Sequence, residues 1–195
     1  MTKQPAVLHC HSQHSFLDGL SSIKEMVSRA KEIGMESIAL TNHGNIFGWV
    51  DFYKECTKQG IKPIFGQEIY LTPNHSEKER HAYHLVLLAE NNIGLKNIIR
   101  LTTIANRNFY FKPRVDFNDL LHASECIVAL TACMHGPVSY QLYDKMTWPK
   151  DGEESQLKEA ANIPKAYEYA RKLLSIFGNK NLYLEVQDGG IPEQK

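Results

Sequence analysis

The sequence predicts an α/β fold in which helices cover a largely parallel sheet. Two observations support this prediction. Short apolar runs typical of strands alternate along the chain with segments whose apolar residues recur at helical spacing. In addition, a chain of 195 residues with 43% hydrophobic content can bury a substantial core, which favours one domain over residues 1–195.

Six short β-like runs, which alternate with helical patterns, are predicted as strands. They cover residues 6–11, 37–41, 63–71, 84–88, 126–131 and 181–186. The carboxyl ends of parallel strands meet at one face of a sheet, and α/β proteins hold their chemistry there. Functional side chains are therefore expected at the ends of these runs.

Four segments are predicted as amphipathic helices, namely residues 23–33, 46–59, 95–105 and 166–177. The first is the best defined. Ser22 and Glu25 form a capping-box pattern at its start, Gly34 supplies its stop, and its apolar face should pack against the sheet. Residues 147–162, which include proline, glycine and adjacent acids, are predicted to form a loop or excursion.

Charge and cysteine content restrict the environment and the partners of the chain. Lysine plus arginine equals aspartate plus glutamate at 22 each, so no global positive field attracts nucleic acid and any such contact must be local. No apolar stretch approaches the length of a membrane span, and no membrane partner is expected. Four cysteines without a signal peptide indicate a cytoplasmic protein whose cysteines are thiols or metal ligands: Cys10, Cys56, Cys126 and Cys133.

The tripeptide His9-Cys10-His11 closes the first apolar run. Side chains alternate between the faces of a strand, so His9 and His11 are expected on one side, about two residue rises (~7 Å) apart. Two imidazoles in this arrangement can bind one metal ion or a close pair. From these residues alone, the alternative interpretation is a pair of surface histidines that form ordinary hydrogen bonds and bind no metal.

Further candidate ligands occur near the ends of other predicted strands. His43 follows the second run, Glu68 lies in the third, and Cys133 follows the fifth. Asp18, in the loop after the first run, can reach the same face. His84 fits less well, because it begins its run. A mixture of imidazole, carboxylate and thiolate favours zinc, manganese or iron over calcium or magnesium alone.

The remaining histidines and thiols have plainer interpretations. Three histidines are interpreted as solvated or capping residues: His75, His81 and His122. Three thiols are expected to be structural: Cys10, Cys56 and Cys126. His14 and His135 lie near the candidate site in sequence, and for each a role beside the ligands or in substrate binding is an alternative to a solvated side chain.

Residues 107–114 interleave basic and aromatic side chains. Arg107, Lys112 and Arg114 are candidates for holding a phosphodiester backbone, and the aromatic residues between them could stack on a base. A surface turn with a buried aromatic anchor explains the same pattern equally well.

Residues 9–19, HCHSQHSFLDG, resemble the first motif of the PHP (polymerase and histidinol phosphatase) domain, in the form found at the amino terminus of the alpha subunit of bacterial DNA polymerase III. Residues 41–48, TNHGNIFG, and residues 60–68, GIKPIFGQE, are similar to the replicative polymerase branch rather than to the free histidinol phosphatases. Segments 84–89, 110–114 and 182–187 extend the resemblance over essentially the whole chain.

This resemblance implies a distorted (β/α)7 TIM-like barrel with a cluster of two or three metal ions at one mouth. The ligands that it implies are His9, His11, Asp18, His43, Glu68, His84 and Cys133. Asn42 departs from the family pattern, in which aspartate commonly precedes the histidine, and a change around the ligands is expected there. The closing Asp-x-His motif of the family is not found, so the barrel is expected to be truncated before its last strands and to lack two ligands.

The resemblance also implies a function. The domain would belong to a DNA-directed DNA polymerase, a nucleotidyltransferase of DNA replication, and would act as a metal-dependent hydrolase, a 3′–5′ exonuclease that removes misincorporated nucleotides. The expected partners are a DNA primer terminus, the palm, thumb and fingers of the polymerase, and other replisome subunits. Two alternatives remain at this point. One is a non-catalytic, metal-stabilised docking module, and the other is a small-molecule phosphatase of the histidinol phosphate type.

Overall fold

The computed structural model describes residues 4–142 and 162–187. The strands are β1 (Ser37–Leu40), β2 (Lys62–Thr72), β3 (Tyr83–Ala89), β4 (Arg114–Asp116), β5 (Ile127–Leu130) and β6 (Leu182–Tyr183). The helices are α1 (Ile23–Glu32), α2 (Trp49–Gln59), α3 (Asn92–Arg107), α4 (Phe117–Leu121), α5 (Ile163–Phe177) and a 3-10 helix over Ser139–Leu142. The predicted α/β class is confirmed.

The helices follow the predicted pattern with local differences. Ser22 and Glu25 form the predicted capping box of α1. Helix α2 begins at Trp49 rather than near residue 46, because Gly48 has a left-handed backbone with φ of 80°. Of the predicted excursion at residues 147–162, only Asn162 is described, and it caps α5; the rest lies outside the described residues. Among the described helices, none is long and apolar enough to cross a membrane.

The sheet is mixed rather than uniformly parallel. Strands lie in the order β1-β2-β3-β5-β6, and β4 pairs with β2 on the edge opposite β3. The pairs β1–β2 and β5–β6 are parallel, as predicted, and so is the pair β2–β4, although β4 was not among the predicted strands. Strand β3, however, is antiparallel to both β2 and β5. The connection from β2 to β3 explains the difference. It covers only residues 73–82, which is too short for a parallel crossover.

The amino-terminal segment does not form the strand that was predicted for residues 6–11. It runs along β1, where the amide groups of Ala39 and Thr41 donate to the carbonyl oxygens of Val7 and Cys10. The ladder is interrupted because the amide of Cys10 donates instead to the side-chain hydroxyl of Thr41, 2.8 Å away. A side chain thus replaces a backbone partner, and the segment stays irregular.

The two ends of this sheet meet. His9, in the segment beside β1, lies with its Nδ1 atom 2.7 Å from Oε1 of Glu185, which follows β6. This contact joins residues 176 positions apart in sequence. The described strands therefore curl toward closure, as expected of a barrel-like arrangement. Val27, Phe52 and Leu87 are fully buried in the core that α1, α2 and the sheet enclose.

Candidate metal centre

Three of the seven predicted metal ligands, His43, Glu68 and His84, lie where β1 ends, β2 passes its midpoint and β3 begins. His43, just after β1, pairs with Glu68 of β2 through an isolated parallel bridge. His84, at the start of β3, lies opposite Tyr70 of β2. Because β3 is antiparallel, its first residues reach the edge where β1 ends. The reversed strand therefore accounts for the position of His84, which did not fit a parallel sheet.

Glu68 occupies the centre of the cluster and is 1% exposed. Its Oε2 atom lies 2.8 Å from Nε2 of His9 and 2.9 Å from Nε2 of His11. The same oxygen lies 3.4 Å from Nδ1 of His43. Its Oε1 atom lies 2.8 Å from Nδ1 of His84. The two oxygens of one carboxylate thus face different sets of imidazoles.

Asp18 reaches the cluster from the loop after the amino-terminal segment. Its Oδ2 atom lies 3.5 Å from Nδ1 of His11 and 3.4 Å from Nε2 of His43. Ser15 ties this loop to the same two histidines, because its hydroxyl is 2.9 Å from Nδ1 of His11 and accepts from the amide of His43 at 3.0 Å. The side chain of Asp18 is 47% exposed, so this side of the cluster is open to solvent.

The loop that carries Asp18 depends on a close backbone approach at Gly19. A Cβ atom at this position would lie 2.0 Å from the carbonyl oxygen of Ser12. We therefore expect Gly19→Ala to shift the loop, to lower the free energy of unfolding by roughly 1–3 kcal/mol, and to weaken any metal binding that uses Asp18. Urea unfolding and metal titration would measure both effects. Leu20→Ala, which truncates an exposed neighbour, is the control and should change neither quantity appreciably.

Cys133 enters the cluster from the turn after β5. Its Sγ atom lies 3.7 Å from Nδ1 of His84 and 3.9 Å from Nδ1 of His135. Burial raises the pKa of the Cys133 thiol to about 11 in the metal-free protein. Three ligand-type atoms, from His84, Cys133 and His135, converge here. All four cysteines are free of disulfide bonds, in agreement with the prediction.

Sequence reasoning missed Glu185 as a site residue. Its Oε1 atom lies 2.7 Å from Nδ1 of His9 and accepts a 2.7 Å hydrogen bond from the side-chain amide of Gln187. Glu185 orients the imidazole of His9 so that Nε2 faces Glu68, as carboxylates do beside metal-bound histidines. The signal was present in the sequence, because Glu185 is a carboxylate near the end of a predicted strand.

The surroundings of the cluster shift the pKa values of its imidazoles in opposite directions. Burial by itself would lower the pKa of His9, but the hydrogen bonds to Glu185 and Glu68 raise it to about 9. Burial lowers the pKa of His43 to about 4 and outweighs the attraction of Glu68. Burial would raise the pKa of Glu68, but the neighbouring imidazoles of His11, His84 and His9 hold it well below its usual range. At neutral pH, the metal-free cluster therefore contains a charged His9 and a neutral His43.

The donor atoms of the cluster fit divalent metal ions. An ion about 2.1 Å from each ligand holds neighbouring ligand atoms roughly 3.0–3.4 Å apart. The Nε2 atoms of His9 and His11 lie 3.1 Å apart, and Glu68 is close to both. Among the described residues, Nδ1 of His43 and Oε1 of Glu68 are buried without a hydrogen-bond partner of good geometry. Both residues belong to one candidate ligand group, in which an ion would satisfy these atoms.

Arg114 is not available to bind phosphate, so the prediction for this residue is wrong. It is 2% exposed, and its guanidinium group donates to the backbone carbonyl oxygens of His75, Glu77 and Glu79. The side chain therefore fixes the connection between β2 and β3. A guanidinium group that is buried in this way cannot reach a phosphate outside the protein.

The other predicted substrate residues occupy different positions. Lys112 lies near the cluster, with Nζ 4.5 Å from the centre of the Tyr70 ring, which itself stacks on His43. Arg107 is exposed in the last turn of α3. The ring of His14 is half-buried and close to Gly48, where an added Cβ would lie 2.7 Å from its Cδ2 atom. For these three residues a role in substrate binding stays a prediction.

Three histidines outside the cluster were interpreted as solvated or capping residues. His122 is exposed, with Nδ1 2.7 Å from the carbonyl oxygen of Asn118 in α4, as a capping residue would be. His75 is instead half-buried, with Nε2 3.3 Å from carboxylate oxygens of both Asp116 and Asp119. His81 is also half-buried and packs on Tyr140, with ring centroids 4.3 Å apart. The interpretation is therefore wrong for His75 and His81.

Comparison with known proteins places this geometry in context. The family model described as "PHP domain" matches residues 8–189. The chain is 38% identical over 209 residues to DNA polymerase III subunit alpha of Aquifex aeolicus, covering 100% of this chain and 16% of that protein. It is 38% identical over 195 residues to the subunit of the same name from Treponema pallidum, covering 96% of this chain and 15% of that protein. An amidohydrolase structure from Chromobacterium violaceum matches 90% of this chain and 51% of its own, with 20% identity and a TM-score of 0.37. The chain thus spans about one sixth of the length of the polymerase relatives.

Proposed function

Because the chain belongs to the PHP domain family, we propose that it is the metal-dependent phosphoesterase part of a replicative DNA polymerase and removes nucleotides from DNA 3′ ends. The names of its relatives support the polymerase assignment. A cytoplasmic location, the remaining polymerase domains and other replisome subunits as partners, and a primer terminus as substrate belong to the same proposal.

The position of Glu68 is the observation that carries this proposal. Glu68 belongs to two overlapping ligand groups, one with His9 and His11 and the other with His43 and His84. Its Oε2 atom lies beside His9, His11 and His43, and its Oε1 atom lies beside His84. A shared carboxylate of this kind suits two neighbouring ions. When bound, such ions polarise phosphoryl oxygens, lower the pKa of a bound water and stabilise the departing oxygen. A mixture of imidazole, carboxylate and thiolate supports zinc, manganese or iron as the occupant.

The residues of the chain prepare the site for this chemistry. Glu185 orients His9, and Ser15 joins the loop of Asp18 to His11 and His43. A histidine ring nitrogen binds a metal ion only when it carries no proton. The lowered pKa of His43 keeps its ring neutral at physiological pH. Because Asp18 is partly exposed, a phosphodiester can approach the cluster from that side.

Nucleotide release from a 3′-mismatched primer in manganese would test the proposed function. We expect wild-type chain to release nucleotides and His43→Ala to lower the rate at least about 100-fold, since outer partners of metal ligands already account for 10–100-fold effects. His122→Ala, which removes an exposed histidine that belongs to none of the described ligand groups, should retain the wild-type rate.

Two other outcomes would contradict the proposal. Faster release of phosphate from small phosphomonoesters than of nucleotides from DNA would favour the small-molecule phosphatase. A folded, metal-loaded chain that hydrolyses neither substrate would favour the docking module.

Lys112 is the described cation that we propose to contact a DNA phosphate, because its Nζ atom lies over Tyr70 at the side of the cluster. We expect Lys112→Ala to weaken binding of single-stranded primer ends and to reduce the slope of log affinity against log salt by about 0.7. Fluorescence anisotropy at several salt concentrations would measure the slope. Lys96→Ala on α3 is the matched control. An unchanged slope in the Lys112 variant would remove this residue from the DNA contact.

A further inference from the structure

We infer that His135 is a metal ligand and that, with His84 and Cys133, it forms a thiolate-imidazole site at one end of the cluster. This inference rests on the proposed metal-dependent function and extends it to a residue outside the seven predicted ligands. Each of the three side chains offers one ligand atom that lies within 4.8 Å of the other two. All three residues are half-buried.

The distances agree with ligands around a single ion. With metal–sulfur and metal–nitrogen bonds of about 2.3 and 2.1 Å, tetrahedral geometry separates the two ligand atoms by roughly 3.6 Å. The Sγ atom of Cys133 lies 3.7 Å from Nδ1 of His84 and 3.9 Å from Nδ1 of His135. Small side-chain movements would bring these atoms to bonding distance of a common ion.

The backbone holds His135 in this position. The amide of His84 donates to the carbonyl oxygen of His135 at 2.9 Å, which fixes the turn against the start of β3. The two rings stack with centroids 5.2 Å apart and an interplanar angle of 26°. Gly136 closes the turn through a 2.8 Å hydrogen bond to the carbonyl of Cys133, and a Cβ there would lie 1.9 Å from the carbonyl oxygen of Thr131. The turn therefore presents Cys133 and His135 together.

The donor set determines which metal this end prefers. One thiolate and two imidazoles form a soft site that selects zinc, cobalt or iron over magnesium and manganese. The opposite end, with Asp18, His11 and His43, contains no sulfur among its described ligand atoms. We therefore expect the cluster to bind unlike ions with different affinities, the tighter zinc site being the one that contains His135.

Cobalt titration of the 195-residue chain tests the inference without reference to activity. Bound to the wild-type chain, Co²⁺ should show a near-ultraviolet thiolate charge-transfer band, absent in Cys133→Ser, and intense visible bands typical of four-coordinate cobalt. In His135→Ala the thiolate band should remain and the visible bands should weaken. The affinity of the variant for Co²⁺ should be lower by about 100-fold or more. His122→Ala is the control, and His135→Gln replaces the alanine variant if circular dichroism shows that the latter is unfolded.

The outcomes separate this inference from the proposed function. Unchanged visible bands and cobalt affinity in the His135 variant would overturn the inference, whereas continued nucleotide release by the wild-type chain would leave the proposed function in place. A wild-type chain that binds cobalt without a thiolate band would also overturn the inference, because Cys133 would then not be a ligand. Loss of nucleotide release in every metal would instead count against the proposed function.

Discussion

Glu68→Gln should abolish most of the hydrolytic activity and release metal from the chain. Glutamine keeps the size of the side chain but replaces one oxygen with an amino group, which donates hydrogen bonds and does not ligate metals. Oε2 of Glu68 is within 2.9 Å of two imidazoles and Oε1 is 2.8 Å from a third, so either amide orientation removes a ligand atom. If each of two ions loses 10–100-fold in affinity or activity, nucleotide release should fall roughly 1,000-fold.

Metal content and rate should be measured together for this variant. Elemental analysis after gel filtration would give the number of ions retained, and the mismatched-primer assay would give the rate. Glu32→Gln removes an exposed carboxylate on α1 and is the matched control. A Glu68→Gln chain with wild-type metal content and rate would exclude a bridging carboxylate as the centre of the site.

The sequence predicted which candidate ligands lie together better than it predicted the directions of the strands. His9, His11, His43 and Glu68 converge as expected, because the ends of neighbouring strands meet at one edge of a sheet. The antiparallel direction of β3 was not apparent from hydrophobic periodicity, which reports the faces of a strand and not its direction. Once the short connection from β2 is considered, the direction of β3 and the position of His84 both follow.

The burial of individual polar side chains could not be predicted from the sequence. Arg114 stands in a basic and aromatic segment, yet its guanidinium group is enclosed by three backbone carbonyl oxygens from the connection between β2 and β3. Its neighbour Lys112, two positions earlier, is instead beside the cluster. Contacts between residues 35–39 positions apart, such as those of Arg114, depend on tertiary packing, and no local pattern encodes them.

Glu185 was missed for a similar reason, because its contact is also with a residue distant in sequence. Residues 182–187 resemble the family, and Glu185 stands at the end of a predicted strand, but its partner His9 is 176 positions away. Only the curl of the sheet brings them together. The residue therefore acts on the site through His9, and its contribution should be detectable as a dependence of stability on pH.

For the metal-free chain, we expect stability to be highest near pH 6.5 and to decline on both sides. The pKa of His9 is about 9 in the folded protein against 6.5 when unfolded, so its contribution is complete below pH 6.5 and is lost as pH rises toward 9. This loss amounts to at most about 3 kcal/mol. The pKa of His43 is lowered to about 4, so its neutral ring favours folding above pH 6.5, and this contribution is lost as pH falls toward 4.

Glu185→Gln should reduce the alkaline part of this dependence. The glutamine removes a charged partner of His9, so the pKa of His9 should fall and the variant should lose about 1–2 kcal/mol at pH 6.5. Near pH 10, where His9 is mostly neutral in both proteins, the two should be almost equally stable. Urea unfolding in a metal chelator at both pH values would measure the difference, with Glu125→Gln, an exposed carboxylate, as the control. A deficit of equal size at the two pH values would show that Glu185 stabilises the fold by packing and not by the charge of His9.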